Sequence, residues 1–540
     1  MLTLLAAVIL TSGKIWTGDA RQPWAEAVKI EGNRIVAVGK SREIGRNGSI
    51  IDVKGRLVVP GFIDDHTHFI EGGFELSRVQ LRDAATPQEF ARRIGEYARR
   101  AGSGKWIVGG EWDHTIWNPP ALPTRQLIDA LTPQNPVFVS RLDGHMGLAN
   151  SLALKMANVT RDTPDPAGGT IVRDANGEPT GILKDAAQSF VDAVIPSAPT
   201  DERVAAAKAA LAEAARLGVT AFVDMSSGEA YEDFRAYQRL EKSGDLTARV
   251  YLFTPILEYK RLVAASVEKA FGGDRLRIGG LKGFADGSLG SSTAAMFEPF
   301  SDDPKNRGLT MAAMTDGRMK GAVSDADAHN LQVAIHAIGD RANDEVLEIY
   351  ESIGNERERR FRIEHAQHLS PDLIKRFAAD RVIASMQPYH AIDDGRWAEA
   401  KIGHERARWT YAFRTLIDAG ATLTFGSDWT VAPLNPILGV YAAVTRRTLD
   451  GKNPNGWIPE QKITVEEALR CYTVNNAYAM FRENEIGKIA PGMFADMAIL
   501  SDDLFTIAPE KIEKVRVDIT IFDGRVIYER GASQGAAIRK

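Results

Sequence analysis

His66 and His68 stand two residues apart at the end of an apolar run, VVPGFIDDHTHF. A spacing of two in an extended strand turns both side chains to one face. Two imidazoles on one face are competent to hold a divalent metal, Zn²⁺ foremost. The chain has ten histidines, and others fall in related places. His336 ends the apolar run VAIHAIGD and His365 ends RIEHAQH, while Asp428 ends LTFGSDW. Lys282 lies inside a fourth run, GGLKGFADGSLGSS. A charge buried in such a strand is costly unless it is paired or neutralised. Taken singly, each of these is an ordinary polar residue at a strand end. Their shared position, one metal-competent group at the end of each of several strands, points to a metal centre of one or two ions.

The elements that must position these groups can be read from the rest of the chain. Eight short apolar runs occupy residues 58–68, 219–224, 250–253, 278–286, 333–338, 362–366, 382–386 and 422–427. Helical stretches separate several of them, such as the alanine-rich 201–217, which opens on acidic residues and stops at Gly218. Strands alternating with helices predict a parallel sheet with crossover helices, and eight such units predict an α/β fold of the TIM-barrel type. In that fold the strand ends carrying His66, Lys282, His336, His365 and Asp428 converge on one mouth. The first 57 residues and the last, 485–540, instead alternate short strands with turns such as Gly32-Asn33 and Asp523-Gly524. Neither end has a core of its own, which predicts one small composite β-sandwich built from both. Residues 58–484 form the barrel unit, closed by the helix-rich 431–480. Residues 111–185 are too long for a loop and predict an insertion over the barrel mouth.

Composition narrows the function classes. Of the 540 residues 44% are hydrophobic and 25% charged, ordinary globular values. The net charge of −5 argues against a nucleic-acid binder. The single cysteine, Cys471, rules out an internal disulfide and a cysteine-built zinc site, and fits a cytoplasmic protein. No apolar run approaches a membrane span. The apolar start, residues 1–10, reads as a first strand, with the remnant of an export signal as the alternative.

Longer motifs identify a family. Pro60-Gly61-Phe62-Ile63-Asp64-Asp65-His66-Thr67-His68 resembles the first-strand motif of the amidohydrolase superfamily, and Gly487-Lys488-Ile489-Ala490-Pro491-Gly492-Met493-Phe494-Ala495-Asp496 resembles the return strand of its sandwich. Asp143-Gly144-His145, Gly177-Glu178-Pro179-Thr180-Gly181, Phe284-Ala285-Asp286-Gly287-Ser288-Leu289-Gly290, His336-Ala337-Ile338-Gly339-Asp340 and Gln387-Pro388 with His390 are similar to amidohydrolase family 3, the YtcJ-like branch that includes N-substituted formamide deformylases. The resemblance covers nearly the whole chain, with Gly283 and Ser292 as departures, where the branch has a bulkier residue and often an arginine.

The resemblance implies a metal-dependent hydrolase of carbon–nitrogen bonds other than peptide bonds. It implies that His66 and His68 bind one ion, that His336 and His365 bind a second, and that a carboxylated Lys282 bridges them. Asp428 is then both ligand and general base, directing a metal-activated hydroxide at an amide carbonyl and returning the proton to the leaving nitrogen. His145, from the insertion, is the candidate for stabilising the carbonyl oxygen. Trp112, Trp117, Trp429 and His390 are expected to line the pocket, with His368 a weaker candidate, and aromatic walls favour a small amide with an apolar or aryl substituent. A homo-oligomer is compatible with the sequence. Ester, lactone or cyclic-amide hydrolysis would use the same site, and a non-catalytic scaffold of this fold is the alternative from another class. A deaminase needs a dedicated acid soon after the fifth strand, and Ala337-Ile338-Gly339-Asp340 offers none at the usual spacing.

Overall fold

The computed structural model describes residues 7–45, 47–226, 229–354 and 358–532; part of the apolar start, residues 1–6, lies outside them. Eight parallel strands follow one another around a single sheet. They are β1 (Phe62–Thr67), β2 (Val219–Asp224), β3 (Arg249–Pro255), β4 (Leu276–Phe284), β5 (Gln332–Ala337), β6 (Arg362–His365), β7 (Ile383–Met386) and β8 (Leu423–Phe425). Most are buried along their whole length, because helices cover the outer face and packed side chains fill the inside. Beyond the last residue of β8 the chain closes the ring onto β1: Asp428 N donates to His66 O at 2.7 Å and His68 N donates to Trp429 O at 2.6 Å. The fold is the eight-stranded TIM barrel that the strand pattern predicts. A helix at Thr200–Arg216 stands where the alanine-rich stretch predicts one, and Gly218, at φ +76°, ends it.

The first apolar run, 58–68, is two strands rather than one. Leu57–Pro60 belongs to a different sheet, and β1 begins at Phe62. Gly61 is the joint. A Cβ there would meet Thr220 Oγ1 at 2.1 Å, so only glycine lets the two chains pass. The sheet that receives Leu57–Pro60 has the order Arg525–Glu529, Val517–Phe522, Met497–Leu500, Leu57–Pro60, Lys14–Trp16, Trp24–Ala25, so strands from both ends of the chain pair within it. A four-stranded sheet of Arg34–Gly39, Ala27–Glu31, Val8–Thr11 and Ser49–Asp52 packs against it through Leu10, Val28, Ile30, Val58, Met497 and Ile519. Residues 487–489 are not a strand, although Ile489 N still donates to Thr17 O at 2.8 Å. Arg249, fully buried at the start of β3, joins barrel to sandwich by donating to Asp496 at 2.7 Å and to Asp523.

A third sheet stands over the C-terminal ends of the barrel strands. Its five strands run Gly169–Arg173, Pro179–Asp185, Met146–Ala149, Val137–Arg141, Ile107–Trp112. Its core also takes in Phe90, Ile94 and Ala98 from the helix Pro87–Ala101, so the packed unit starts earlier than residue 111. No helix among the described residues is long and apolar enough to cross a membrane.

Candidate metal centre

The strand ends bring the expected residues together. His66 lies in β1 and is fully buried; His68 follows the strand as the residue capping the helix Phe69–Glu75 and is a quarter exposed. The strand ends between them at Thr67, yet both rings turn to one place as their spacing predicts. They meet at Asp428, whose Oδ1 lies 3.4 Å from His66 Nε2 and 3.3 Å from His68 Nε2. The other carboxylate oxygen, Oδ2, faces His365, with Nδ1 at 4.0 Å. Two sets of ligand atoms therefore adjoin one carboxylate. Those of His66, His68 and Asp428 lie within 4.8 Å of one another, and so do those of His365, His390 and Asp428. His336 belongs to neither set, although its ring centre is 4.5 Å from that of His365.

The second nitrogen of each ring shows why these residues suit a metal. His66 Nδ1 donates to Glu364 Oε2 at 2.6 Å, which leaves Nε2 as a lone pair turned toward Asp428 and Lys282. His365 Nδ1 donates to Gln387 Oε1 at 2.8 Å, and His336 Nε2 donates to Gly287 O at 3.0 Å. Each ring thus has its tautomer set by a protein acceptor and keeps a lone pair on its other nitrogen. Burial keeps these imidazoles neutral. It lowers His66 to about 4, with the neighbouring Lys282 adding to the effect, and holds His336 and His365 well below the ordinary range. Asp428 stays ionised because the surrounding histidines outweigh its burial. Neutral imidazoles around an ionised carboxylate are the donor set of a divalent site.

Lys282 is buried on β4 with its Nζ 3.2 Å from His66 Nε2. Among the described residues it has no carboxylate within ion-pair distance, and burial lowers it to about 8. Gly283, a departure from the family pattern, stays in the strand. The β4–β5 ladder runs through it, and a Cβ would meet Ile256 Cγ2 and Met319 Cε at 3.0 Å, so the neighbours fill the space of a larger residue. Ser292 Oγ accepts from Lys401 Nζ at 2.5 Å.

Glu364 and Arg362, two residues apart on β6, were not singled out in the sequence. Arg362 donates to both oxygens of Glu364, at 2.7 and 3.0 Å, and to Asp65 Oδ1 at 2.9 Å, all fully buried. Arg362 outweighs the burial of Glu364 and holds its carboxyl far below the usual range. The signal was their shared strand face, R-I-E, directly before His365.

His145, at the tip of the third sheet, reaches the same mouth. Its ring centre lies 5.0 Å from that of His336, and its Nδ1 donates to Asp185 Oδ1 at 2.7 Å. Burial opposes a charge on His145, but the hydrogen bond and charge of Asp185 prevail and raise it. A cavity of about 1410 Å³ opens between the third sheet and the barrel and reaches His66, His68, Lys282, His336, His365, His390 and Asp428. The three tryptophans expected there do not line it. Trp112 and Trp117 pack in the core of the third sheet against Phe90, their Nε1 atoms donating to Val139 O and Ala84 O, each at 2.8 Å. Trp429 is buried against Phe69 and Gly72. Indole rings this apolar gain more from a core than from a wet wall. Trp106 and Trp397, with Phe74 and Tyr97, line the cavity instead. His368 is also outside it, with Nδ1 at 2.8 Å from Thr410 Oγ1.

The backbone is strained around the candidate ligands. His365 (φ +70°), Ala366 (φ +43°), Asp428 (φ +56°) and Asp185 (φ +47°) are in the left-handed region without being glycine. Such strain is held only where the surroundings over-determine it, and it gathers at functional sites.

Comparison with known proteins shows the family. Residues 49–528 match the family model described as the amidohydrolase family. The protein LONG AFTER FAR-RED 3 of Arabidopsis thaliana is 39% identical over 92% of this chain and 88% of its own. The putative amidohydrolase YtcJ of Bacillus subtilis is 31% identical over 96% of this chain and 98% of its own. The N-substituted formamide deformylase of Arthrobacter pascens is 27% identical over 98% of this chain and all of its own. Among solved structures, an uncharacterized metal-dependent hydrolase from Pyrococcus horikoshii superposes with a TM-score of 0.77 at 30% identity, covering 94% of this chain and 99% of that one.

Proposed function

The chain belongs to the amidohydrolase family, and on that premise we propose that it is a metal-dependent hydrolase of a small carbon–nitrogen amide, of the N-acyl or N-formyl amine type. The observation that carries this reading is the pair of ligand sets sharing Asp428 at the bottom of the cavity. His66, His68 and Asp428 would hold one divalent ion, Zn²⁺ by the chemistry of the donors, with Lys282 beside them. His336 and His365 are the ligands that the family resemblance adds for a second. A bound ion supplies Lewis acidity and brings a water to ionise near neutral pH.

The residues of the chain supply the rest. Asp428 orients the attacking water, takes its proton and passes it to the leaving nitrogen. His145, fixed by Asp185 and with its pKa raised by it, donates a hydrogen bond to the carbonyl oxygen as negative charge develops there. Lys282 is a buried amine with a lowered pKa and, among the described residues, no carboxylate within ion-pair distance. As the neutral amine it adds carbon dioxide and releases a proton, and the resulting carbamate is an anionic ligand that removes the cost of a buried cation. Phe74, Tyr97, Trp106 and Trp397 give the cavity aromatic walls suited to an apolar or aryl substituent. The formamide deformylase among the relatives favours the amide over the ester reading.

A panel of N-formyl and N-acyl amines, with matched esters and lactones, tests the reaction on protein of measured metal content. The expected result is turnover of amides that a chelator abolishes and Zn²⁺ or Mn²⁺ restores. Protein that binds no divalent ion and gains no activity on adding one would overturn the reading. Faster turnover of the esters would move the substrate class.

A further inference from the structure

The second ligand set contains a residue that the family resemblance does not place there. We propose that His390 is a metal ligand, forming with His365 and Asp428 a second ion position beside that of His66, His68 and Asp428. The inference rests on the metal-dependent reading above and assigns a side chain within it.

Local structure places His390 for this role. The helix Pro388–Asp394 begins at Gln387, with Pro388 at its first position. Gln387 Oε1 accepts from His365 Nδ1 at 2.8 Å, and Gln387 O accepts from His390 N at 3.1 Å. One short segment after β7 therefore both orients His365 and presents His390. The two rings lie parallel within 12°, their centres 6.3 Å apart, and their ligand atoms and that of Asp428 fall within 4.8 Å of one another.

Hydrogen bonding points the same way. His390 Nε2 is buried and has no hydrogen-bond partner among the described residues, whereas His66, His336 and His365 each have a ring nitrogen bound to a protein acceptor. A buried polar atom left unpaired is costly, and coordination removes the cost. Asp428 is divided in the matching sense. Its Oδ1 lies nearest His66 and His68 and its Oδ2 nearest His365; with His365 Nδ1 bonded to Gln387, His365 would ligate through Nε2. His336 adjoins His365 but belongs to neither set, so on this geometry His390 is the more direct partner.

Metal binding by the full-length chain tests the assignment without relying on activity. Apoprotein would be titrated with Co²⁺, with stoichiometry measured by elemental analysis, for the wild type, His390→Asn and His390→Cys. His390 is partly exposed to the cavity, so neither substitution opens a hole in a packed core, and circular dichroism checks folding. The expected result is two ions in the wild type, with the second lost or weakened by about ten-fold or more in His390→Asn. His390→Cys would gain a thiolate-to-cobalt charge-transfer band in the near ultraviolet. The wild type cannot give that band from the cavity, because its single cysteine, Cys471, is buried on the helix Val465–Cys471 and does not line it. Two ions held at wild-type affinity by His390→Asn, or cobalt bound by His390→Cys without the band, would overturn the assignment and leave the hydrolase reading standing. A wild type that binds no cobalt would overturn both.

Discussion

His66 uses its two ring nitrogens differently, and that division sets what each neighbour should do on substitution. Glu364 accepts from Nδ1 and is itself fixed by Arg362 and by Ser385 Oγ at 2.7 Å. Glu364→Gln keeps the shape but removes the charge that orients His66. Metal affinity is expected to fall by about 10–100-fold, with activity largely recovered at saturating metal. Unchanged affinity by metal-buffered titration would show that Arg362 and Glu364 serve packing alone. Asp428→Asn removes the proton acceptor and is expected to lower kcat by about 10²–10⁴-fold even with metal bound. Lys282→Ala makes a sharper distinction. If Lys282 acts through its carbamate, activity is lost and short-chain carboxylic acids restore part of it, because they can occupy the same place. An absence of rescue at full metal loading would favour a lysine that acts as the bare amine.

At the scale of elements, two glycines and one bend decide how the strand ends converge. Gly61 separates the sandwich strand Leu57–Pro60 from β1 by letting Thr220 pass, and so sets where β1 begins. Gly72, on the helix that His68 caps, lies under Trp429; a Cβ there would meet the indole at 2.5 Å. Gly72→Ala is therefore expected to push Trp429, and with it the adjoining Asp428, out of position. The cost is about 1–3 kcal/mol of stability, accompanied by a fall in kcat. Thermal denaturation and kinetics together check this, and a stability loss with unchanged kcat would mean that the indole relaxes without moving Asp428. The bend lies between His66 and His68: β1 ends at Thr67 and His68 caps the helix that follows, yet both Nε2 atoms still reach Asp428 Oδ1.

The whole molecule ties three sheets around one mouth. Arg249 connects barrel and sandwich as a fully buried cation between Asp496 and Asp523. Arg249→Ala would leave Asp496 without its arginine in a buried place and Asp523 with Arg275 alone. The expected loss is about 3–5 kcal/mol, read as a lower denaturant midpoint, with kcat of the folded protein near the wild-type value because the metal centre is at the far end of the strands. A midpoint shift under about 1 kcal/mol would show that Arg275, which also donates to Asp523, carries the connection. The third sheet closes the cavity from above and supplies His145, so its position relative to the barrel sets access to the centre.

The sequence by itself determined the barrel, because strand and helix periodicities are local and eight apolar runs with crossover helices admit few arrangements. It determined which strand ends carry His66, Lys282, His336, His365 and Asp428, since those groups stand out against apolar surroundings. Tertiary structure decided what no local pattern encodes. Trp112 and Trp117 resemble pocket residues in a polar stretch, yet they are drawn into the core of the third sheet by Phe90, which lies more than twenty residues away. Arg362 and Glu364 become meaningful only when β6 is set beside β1, where one carboxylate can meet both Arg362 and His66. His390 stands next to His365 because β7 lies beside β6 and the helix after it turns back over the mouth. The candidate ligand residues are written in the chain, but which of them could share an ion depends on side-chain directions that are fixed only when the strands close into a ring.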